Sequence, residues 1–204
     1  MAAQEPLIPR HGGYRNLKSF RVAQLDYDVT VLFCDAHIST YSRTHDQMVQ
    51  AARSGVQNIA EGSKASGTSR ASEIKLTNVA RATLEELRLD YEDFLRHHQL
   101  PLWDRHDPRR EELVALRPKT VEDVKRWAQS TWAGKFTSTE STASTPSTKS
   151  TALPAEPLAN GALALINVAT YLLTRQLQAQ AATFEREGGF SERLYDRRQA
   201  HRRG

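Results

Sequence analysis

The chain has 204 residues, of which 39% are hydrophobic and 25% charged, and its formal net charge at pH 7 is +4. This length fits one domain with an appendage, and the modest hydrophobic share indicates that part of the chain builds no core. The one cysteine, Cys34, excludes an intramolecular disulfide. Because the start lacks a signal-peptide pattern and the longest apolar run is residues 162–166, we expect a cytoplasmic protein without a membrane span.

The first elements in chain order are an N-terminal arm, residues 1–15, and three long helices in residues 16–97. The first helix is predicted to begin at Asn16 as its N-cap and to end before Ser39. One apolar stripe along it, broken only by Gln24, consists of Leu17, Phe20, Tyr27, Val31, Cys34 and Ile38. A second stripe lies on the opposite face and must meet another element or another subunit; we predict a subunit interface at Val22, Leu25, Val29 and Leu32.

The second helix is predicted from His45 or Asp46 to Glu61, where Gly62 supplies the left-handed residue that ends many helices. Its outer face is rich in amide side chains. The third helix is predicted from about Ser69 to His97. Its outer face alternates in charge, as is typical of a solvated helix face, and carries three basic residues, Lys75, Arg81 and Arg88.

Residues 98–136 are predicted to form a short insertion of two helices. The first begins at Asp107–Pro108, an N-cap followed by proline, and the second begins at Thr120 and ends at Gly134. Residues 137–152 contain tandem Ser-Thr-x triplets with no residue large enough for a core. They predict a disordered linker.

Residues 153–204 are predicted to form a fourth long helix, ended by Gly188 and Gly189, and a basic C-terminal suffix. Within the suffix, Phe190, Leu194 and Tyr195 are candidates for a cap docked on the helix ends. The predicted fold is therefore all-α. It is an up-down-up-down four-helix bundle with an inserted pair of short helices and a disordered linker between the third and fourth long helices.

Residues 47–62 read QMVQAARSGVQNIAEG, which resembles the signature of a bacterial four-helix-bundle family. That family includes the ribosomal RNA intervening-sequence proteins and the accessory variability determinant of diversity-generating retroelements. The resemblance covers residues 16–97. Later segments, FLRHHQLPLWDRHDPRR, LANGALALINVATYLLTRQL and FEREGGFSERLYDRRQAHR, resemble a subgroup called the four-helix-bundle suffix type.

The resemblance implies a cyclic homopentamer whose basic outer surface contacts nucleic acid or a reverse transcriptase, and it supplies no catalytic residue. We interpret Asn58, Glu61 and Gly62 of the signature as structural residues at a helix end. The predicted contacts with nucleic acid are basic residues of the suffix and of the third helix: Arg193, Arg197, Arg198, Arg202, Arg203, Lys75, Arg81 and Arg88.

The sequence predicts no catalytic residue, metal site or cofactor. Cys34 and His37 share a helix face but lack a third partner, and adjacent histidines such as His97 and His98 point in different directions. The tryptophans Trp103, Trp127 and Trp132 either stack on bases or, in the interpretation we prefer, anchor the short helices.

Two functional hypotheses remain. The first is a non-enzymatic, oligomeric accessory factor that binds RNA or DNA and partners a reverse transcriptase. The second is a homo-oligomeric protein-interaction scaffold that binds no nucleic acid. A steep fall of binding with salt would favour the first.

Overall fold

A computed structural model describes residues 11–137 and 153–203 of the chain, with residues 134–137 described by their backbone alone. Within these ranges the protein is all-helical, without a strand. A 3-10 turn, Tyr14–Asn16, precedes the α-helices. These are α1 (Lys18–His37), α2 (Arg43–Ala65), α3 (Arg70–His97), α4 (Pro108–Leu116), α5 (Val121–Thr137), α6 (Ala155–Glu187) and α7 (Phe190–Arg203). The predicted linker, apart from Thr137, and residues 1–10 of the predicted arm lie outside the described residues.

Side-chain caps determine where three of the helices begin. Ser42 accepts a hydrogen bond from the Thr44 N–H at the start of α2, and Ser69 accepts one from the Ser72 N–H at the start of α3. Asp107 caps α4 with Pro108 in its first turn, as predicted. The predicted N-cap at Asn16 is wrong, because Asn16 belongs to the 3-10 turn and Leu17 precedes α1.

Two predicted helix ends are also wrong. Helix α2 continues past Gly62 to Ala65, and α5 continues past Gly134 to Thr137. Gly62 serves close packing instead of capping, because a Cβ there would lie 3.3 Å from both the Glu73 carbonyl oxygen and the Leu76 Cβ of α3. Gly188 does have a left-handed φ of 63° and ends α6, as predicted.

The four long helices pack in a closed order: α1 contacts α2, α2 contacts α3, α3 contacts α6, and α6 contacts α1. Hydrogen bonds show the direction of α6. Gln176 accepts from the Ser19 hydroxyl at 2.9 Å, and Gln180 donates to the Glu73 carboxylate at 2.9 Å. The C-terminal half of α6 therefore lies beside the N-terminal ends of α1 and α3, antiparallel to both.

The core face of α1 differs from the predicted stripe. Its buried residues include the polar Ser19, Asp26 and Thr30 beside Ala23 and Phe33, whereas Gln24, Tyr27 and Val31 of the predicted stripe are half-buried. A hydropathy pattern cannot identify this buried face, because polar residues occupy some of its core positions. Two residues of the second stripe, Leu25 and Val29, are buried as well, on a helix that contacts α2, α5 and α6.

The insertion packs on α6 through a buried polar network centred on Trp103. The indole Nε1 donates to the Glu156 carboxylate at 3.0 Å, and the Trp103 backbone N–H donates to Asn160 Oδ1 at 2.9 Å. Trp127 of α5 contacts Trp103 edge to face, with ring centroids 6.1 Å apart. Both indoles are at most 4% exposed, whereas Trp132 is half-buried. The anchoring interpretation is therefore confirmed for Trp103 and Trp127.

Apolar residues make α6 the central helix of the core. The segment Ala155–Arg203 is long and apolar enough to cross a membrane by length and composition, a property that its short uninterrupted runs do not indicate. In its most apolar window, however, 72% is buried inside the protein. The contacts of α6 with α1, α3, α4 and α5 account for this burial, so the apolar surface already packs against protein.

Candidate nucleic-acid interface

Helix α7 carries five arginines and contributes no buried residue. The same helix contains two acidic residues, Glu192 and Asp196. Its 14 residues extend about 21 Å, the length of about six base pairs of duplex. A helix with this excess of positive charge can attract phosphate groups.

The α7 arginines differ in exposure. Three are exposed, at Arg198, Arg202 and Arg203, while Arg193 and Arg197 are half-buried. The Nε and Nη2 atoms of Arg193 are shielded from solvent. Phe190 and Leu194 are half-buried, but Tyr195 is 63% exposed. The predicted docked cap is therefore wrong for Tyr195, because most of this residue is exposed.

The C-terminal end of α6, after which α7 begins, is held against the start of α3 by Arg70, which sequence reasoning missed. The Arg70 guanidinium donates to the Thr183 carbonyl at 3.1 Å and to the Glu187 carboxylate at 2.7 Å. Hydrogen bonds from Arg186 and Arg70 lower the pKa of Glu187 to about 2. The partners are more than 100 residues apart in sequence, so no local pattern could have indicated this contact.

The predicted basic residues of α3 are spread along that helix. Lys75 is exposed and lies five residues after Arg70, near the end where α7 begins. Arg81 donates to Asn78 at 3.2 Å. Arg88 lies 18 residues beyond Arg70, about 27 Å along the axis, and is bound by Glu85 at 2.7 Å and Glu92 at 2.6 Å. The structure therefore does not bring Arg88 together with α7, and its charge is already paired.

The predicted subunit interface on α1 is corrected at two of its four positions. Leu25 is 5% exposed and Val29 is fully buried within the single chain. Neither is available to a neighbouring subunit. Val22 and Leu32 are half-buried and remain the accessible part of that stripe.

The signature residues of α2 have different environments. The Asn58 amide donates to the Ser54 carbonyl at 2.8 Å, which is a local helix contact. Gly62 is buried against α3, and Glu61 is exposed. A structural role thus fits Asn58 and Gly62, through hydrogen bonding and packing and not through the predicted cap.

Cys34 and His37 lie at the C-terminal end of α1. Burial, followed by the charges of Asp35 and Asp90, raises the pKa of the Cys34 thiol to about 12, so the thiol stays protonated at neutral pH. Burial and then His98 lower the pKa of His37. In the described ranges no group of three or more His, Cys, Asp or Glu side chains is placed to hold a metal ion.

Asp26 is a second feature that sequence reasoning missed. It is fully buried, and neither carboxyl oxygen has a hydrogen-bond partner among the described residues. Burial raises its pKa well above the usual range. Thr30 donates to the Asp26 backbone carbonyl at 2.8 Å, and Tyr91 donates to Thr30 at 3.0 Å. The one sequence signal for the burial of Asp26 is its spacing, because Ala23, Asp26 and Thr30 lie on one helix face.

Comparison of the chain with family models, with curated proteins and with solved structures found no match.

Proposed function

We propose that this protein is a non-enzymatic, oligomeric nucleic-acid-binding accessory factor, with α7 as its phosphate-contacting element. The observation that carries the proposal is the arginine-rich α7, which contributes no buried residue to the core and follows the end of α6. Isolated helices of this length are marginally stable in water. Phosphates bound along its basic side would neutralise its arginines and so favour the helical form.

The contacts among the long helices support an up-down-up-down four-helix bundle, with α4 and α5 inserted between its third and fourth members. In such a bundle α7 projects from one end. In a cyclic assembly, copies of α7 would act together, because linked weak sites gain from effective concentration. The sequence resemblance suggests a homopentamer and a reverse transcriptase as partner, and both belong to this proposal.

The test is a salt titration of binding to single-stranded and duplex oligonucleotides. We expect the full chain to bind both with little sequence preference, and affinity to fall at least about tenfold between 50 and 200 mM salt. Replacing Arg197, Arg198, Arg202 and Arg203 with serine should weaken binding at low salt and flatten the salt slope, because fewer counterions are released.

A matched control replaces four arginines outside α7, at Arg15, Arg21, Arg53 and Arg96, with serine. This variant has the same net charge as the α7 variant. If both lose affinity equally, binding follows overall charge and α7 is not the interface. If the wild type shows no binding at about 50 mM salt, the nucleic-acid proposal is overturned.

A polar groove of about 650 Å³ between α2 and α3 favours the second candidate, a protein-interaction scaffold. Exposed amides of α2, Gln47 and Gln50, line it together with Glu86 and Asp90 of α3. Amide-rich walls suit polar contacts with another protein surface. This candidate becomes the first choice if nucleic acid does not bind.

Self-association is expected in both cases and has its own test. Because Val22 and Leu32 are the accessible part of the second α1 stripe, we expect the pair Val22→Glu and Leu32→Glu to release smaller species from an oligomer in analytical ultracentrifugation. The reason is that like charges brought together at an interface cost roughly several kcal/mol of binding free energy. The exposed pair Asp28→Glu and Gln57→Glu is the control. A wild type that sediments as a monomer at micromolar concentration contradicts this expectation.

A further inference from the structure

A pocket of about 380 Å³ lies where the loop after α3 meets α4 and α6. Its volume is within the range of small-molecule sites. Its wall includes three arginines, Arg88, Arg105 and Arg110. Trp103, Leu163 and Asn167 also line it. Three guanidinium groups therefore line one concavity.

Arg110 is the central residue of this pocket. It is 7% exposed, and its one hydrogen bond among the described residues runs from Nη1 to the Trp103 carbonyl at 3.0 Å. No carboxylate of the described chain lies within 4 Å of it; burial lowers its pKa, while the more distant charges of Asp107, Asp104 and Glu92 act in the opposite direction. A buried guanidinium without a close counterion is costly, and an anion in the pocket would offset that cost.

Of the two acidic residues on the wall, only Glu92 forms an ion pair within the described chain. Glu92 is bound to Arg88 at 2.6 Å, and Asp104 accepts the His106 backbone N–H at 2.9 Å. Arg105 is exposed and makes no ion pair with the described chain. Arg105 and Arg110 are therefore the two cations of the pocket that no carboxylate neutralises at close range.

We propose that this pocket binds a phosphate monoester. Two guanidinium groups match the geometry and charge of a phosphate, and the Asn167 amide is a further donor on the wall. The volume beyond the phosphate, bounded by Leu163 and Trp103, suits an attached organic group. The phosphate belongs either to a free nucleoside monophosphate or to the 5′ end of a polynucleotide, and only the latter rests on the proposed function.

The first experiment measures binding of inorganic phosphate, adenosine monophosphate and adenosine to the full chain by calorimetry. We expect the two phosphates to bind and adenosine to bind at least about tenfold more weakly than the monophosphate. Arg105→Ser removes one cation, and Asn167→Asp places a carboxylate on the wall. Each should weaken phosphate binding about tenfold or more, while Arg53→Ser on exposed α2 leaves it unchanged.

Arg110→Met provides an independent variant, since it replaces the buried charge with an apolar side chain of similar length. We expect it to abolish phosphate binding while keeping the wild-type circular dichroism spectrum, because replacing a buried ion is often neutral for stability. If Arg110→Met fails to fold, the variants at the exposed positions Arg105 and Asn167 still test the proposal.

The second experiment compares oligonucleotides with a 5′-phosphate or a 5′-hydroxyl. Preference for the 5′-phosphate that disappears in Arg105→Ser assigns the pocket to polynucleotide ends, and monophosphate binding without that preference assigns it to free nucleotides. The proposal is overturned if the monophosphate does not bind at about 10 mM, or if the pocket variants bind as the wild type does. It is equally overturned if only the α7 serine variant loses the monophosphate.

Discussion

Replacing Trp103 with alanine is expected to lower the free energy of unfolding by about 3–5 kcal/mol, the range typical of a buried tryptophan or phenylalanine. The indole is 4% exposed, lies beneath the Arg109 guanidinium at 3.7 Å from its ring centroid, and contacts Trp127. Truncation leaves a cavity where the insertion meets α6. Urea unfolding followed by circular dichroism measures the loss.

Trp103→Phe separates the hydrogen bond from the packing. It keeps an aromatic ring but removes the Nε1 donor to the Glu156 carboxylate, so we expect a smaller loss of about 1.5–3 kcal/mol. Leu102→Ala, at the 53% exposed neighbour, is the control and should change stability by about 0.5 kcal/mol or less. A Trp103→Ala protein as stable as this control would show that Trp103 does not hold the insertion in place.

Removing the carboxyl of Asp26 is expected to stabilise the protein at neutral pH. Asp26 is fully buried and both of its oxygens lack a partner. Replacing such a group with an apolar side chain of similar size is neutral or stabilising, by up to about 4 kcal/mol for buried ionic groups. We therefore expect Asp26→Leu to raise the free energy of unfolding above the wild-type value at pH 8.

The buried carboxyl of Asp26 also makes the free energy of unfolding depend on pH. Because burial raises the folded-state pKa of Asp26 above its unfolded value, the folded protein holds a proton that the unfolded chain releases. This contribution is fully present below the unfolded pKa near 4 and is lost as pH rises through the folded pKa, at up to about 1.4 kcal/mol per pH unit.

Asp26→Asn tests that linkage without changing the shape of the side chain. The difference in stability between wild type and Asp26→Asn should move in favour of the variant as pH rises from about 4 to 8. Asp28→Asn, exposed on the same helix, should follow the wild-type profile. Parallel profiles for wild type and Asp26→Asn would mean that Asp26 ionises alike in the folded and unfolded states.

Local chemistry allowed much of the fold to be predicted from sequence. Caps at Ser69 and Asp107, the left-handed Gly188 and the apolar spacing of α3 and α6 depend on residues within one or two turns of each other. The helical class and the insertion follow from these signals. The α7 arginines were also evident, since they are a property of composition.

The sequence by itself thus determined that the chain is helical, where most of its helices begin, and that its C-terminal end is basic. Only the tertiary structure decided that α1 buries Asp26 and Thr30, that Leu25 and Val29 face the core, and that α2 passes through Gly62. It also placed Arg105 and Arg110 around one pocket and paired Arg70 with Glu187. The physical reason is the same throughout: these features depend on which helix packs beside which, and contacts between residues far apart in sequence leave no periodic trace in it.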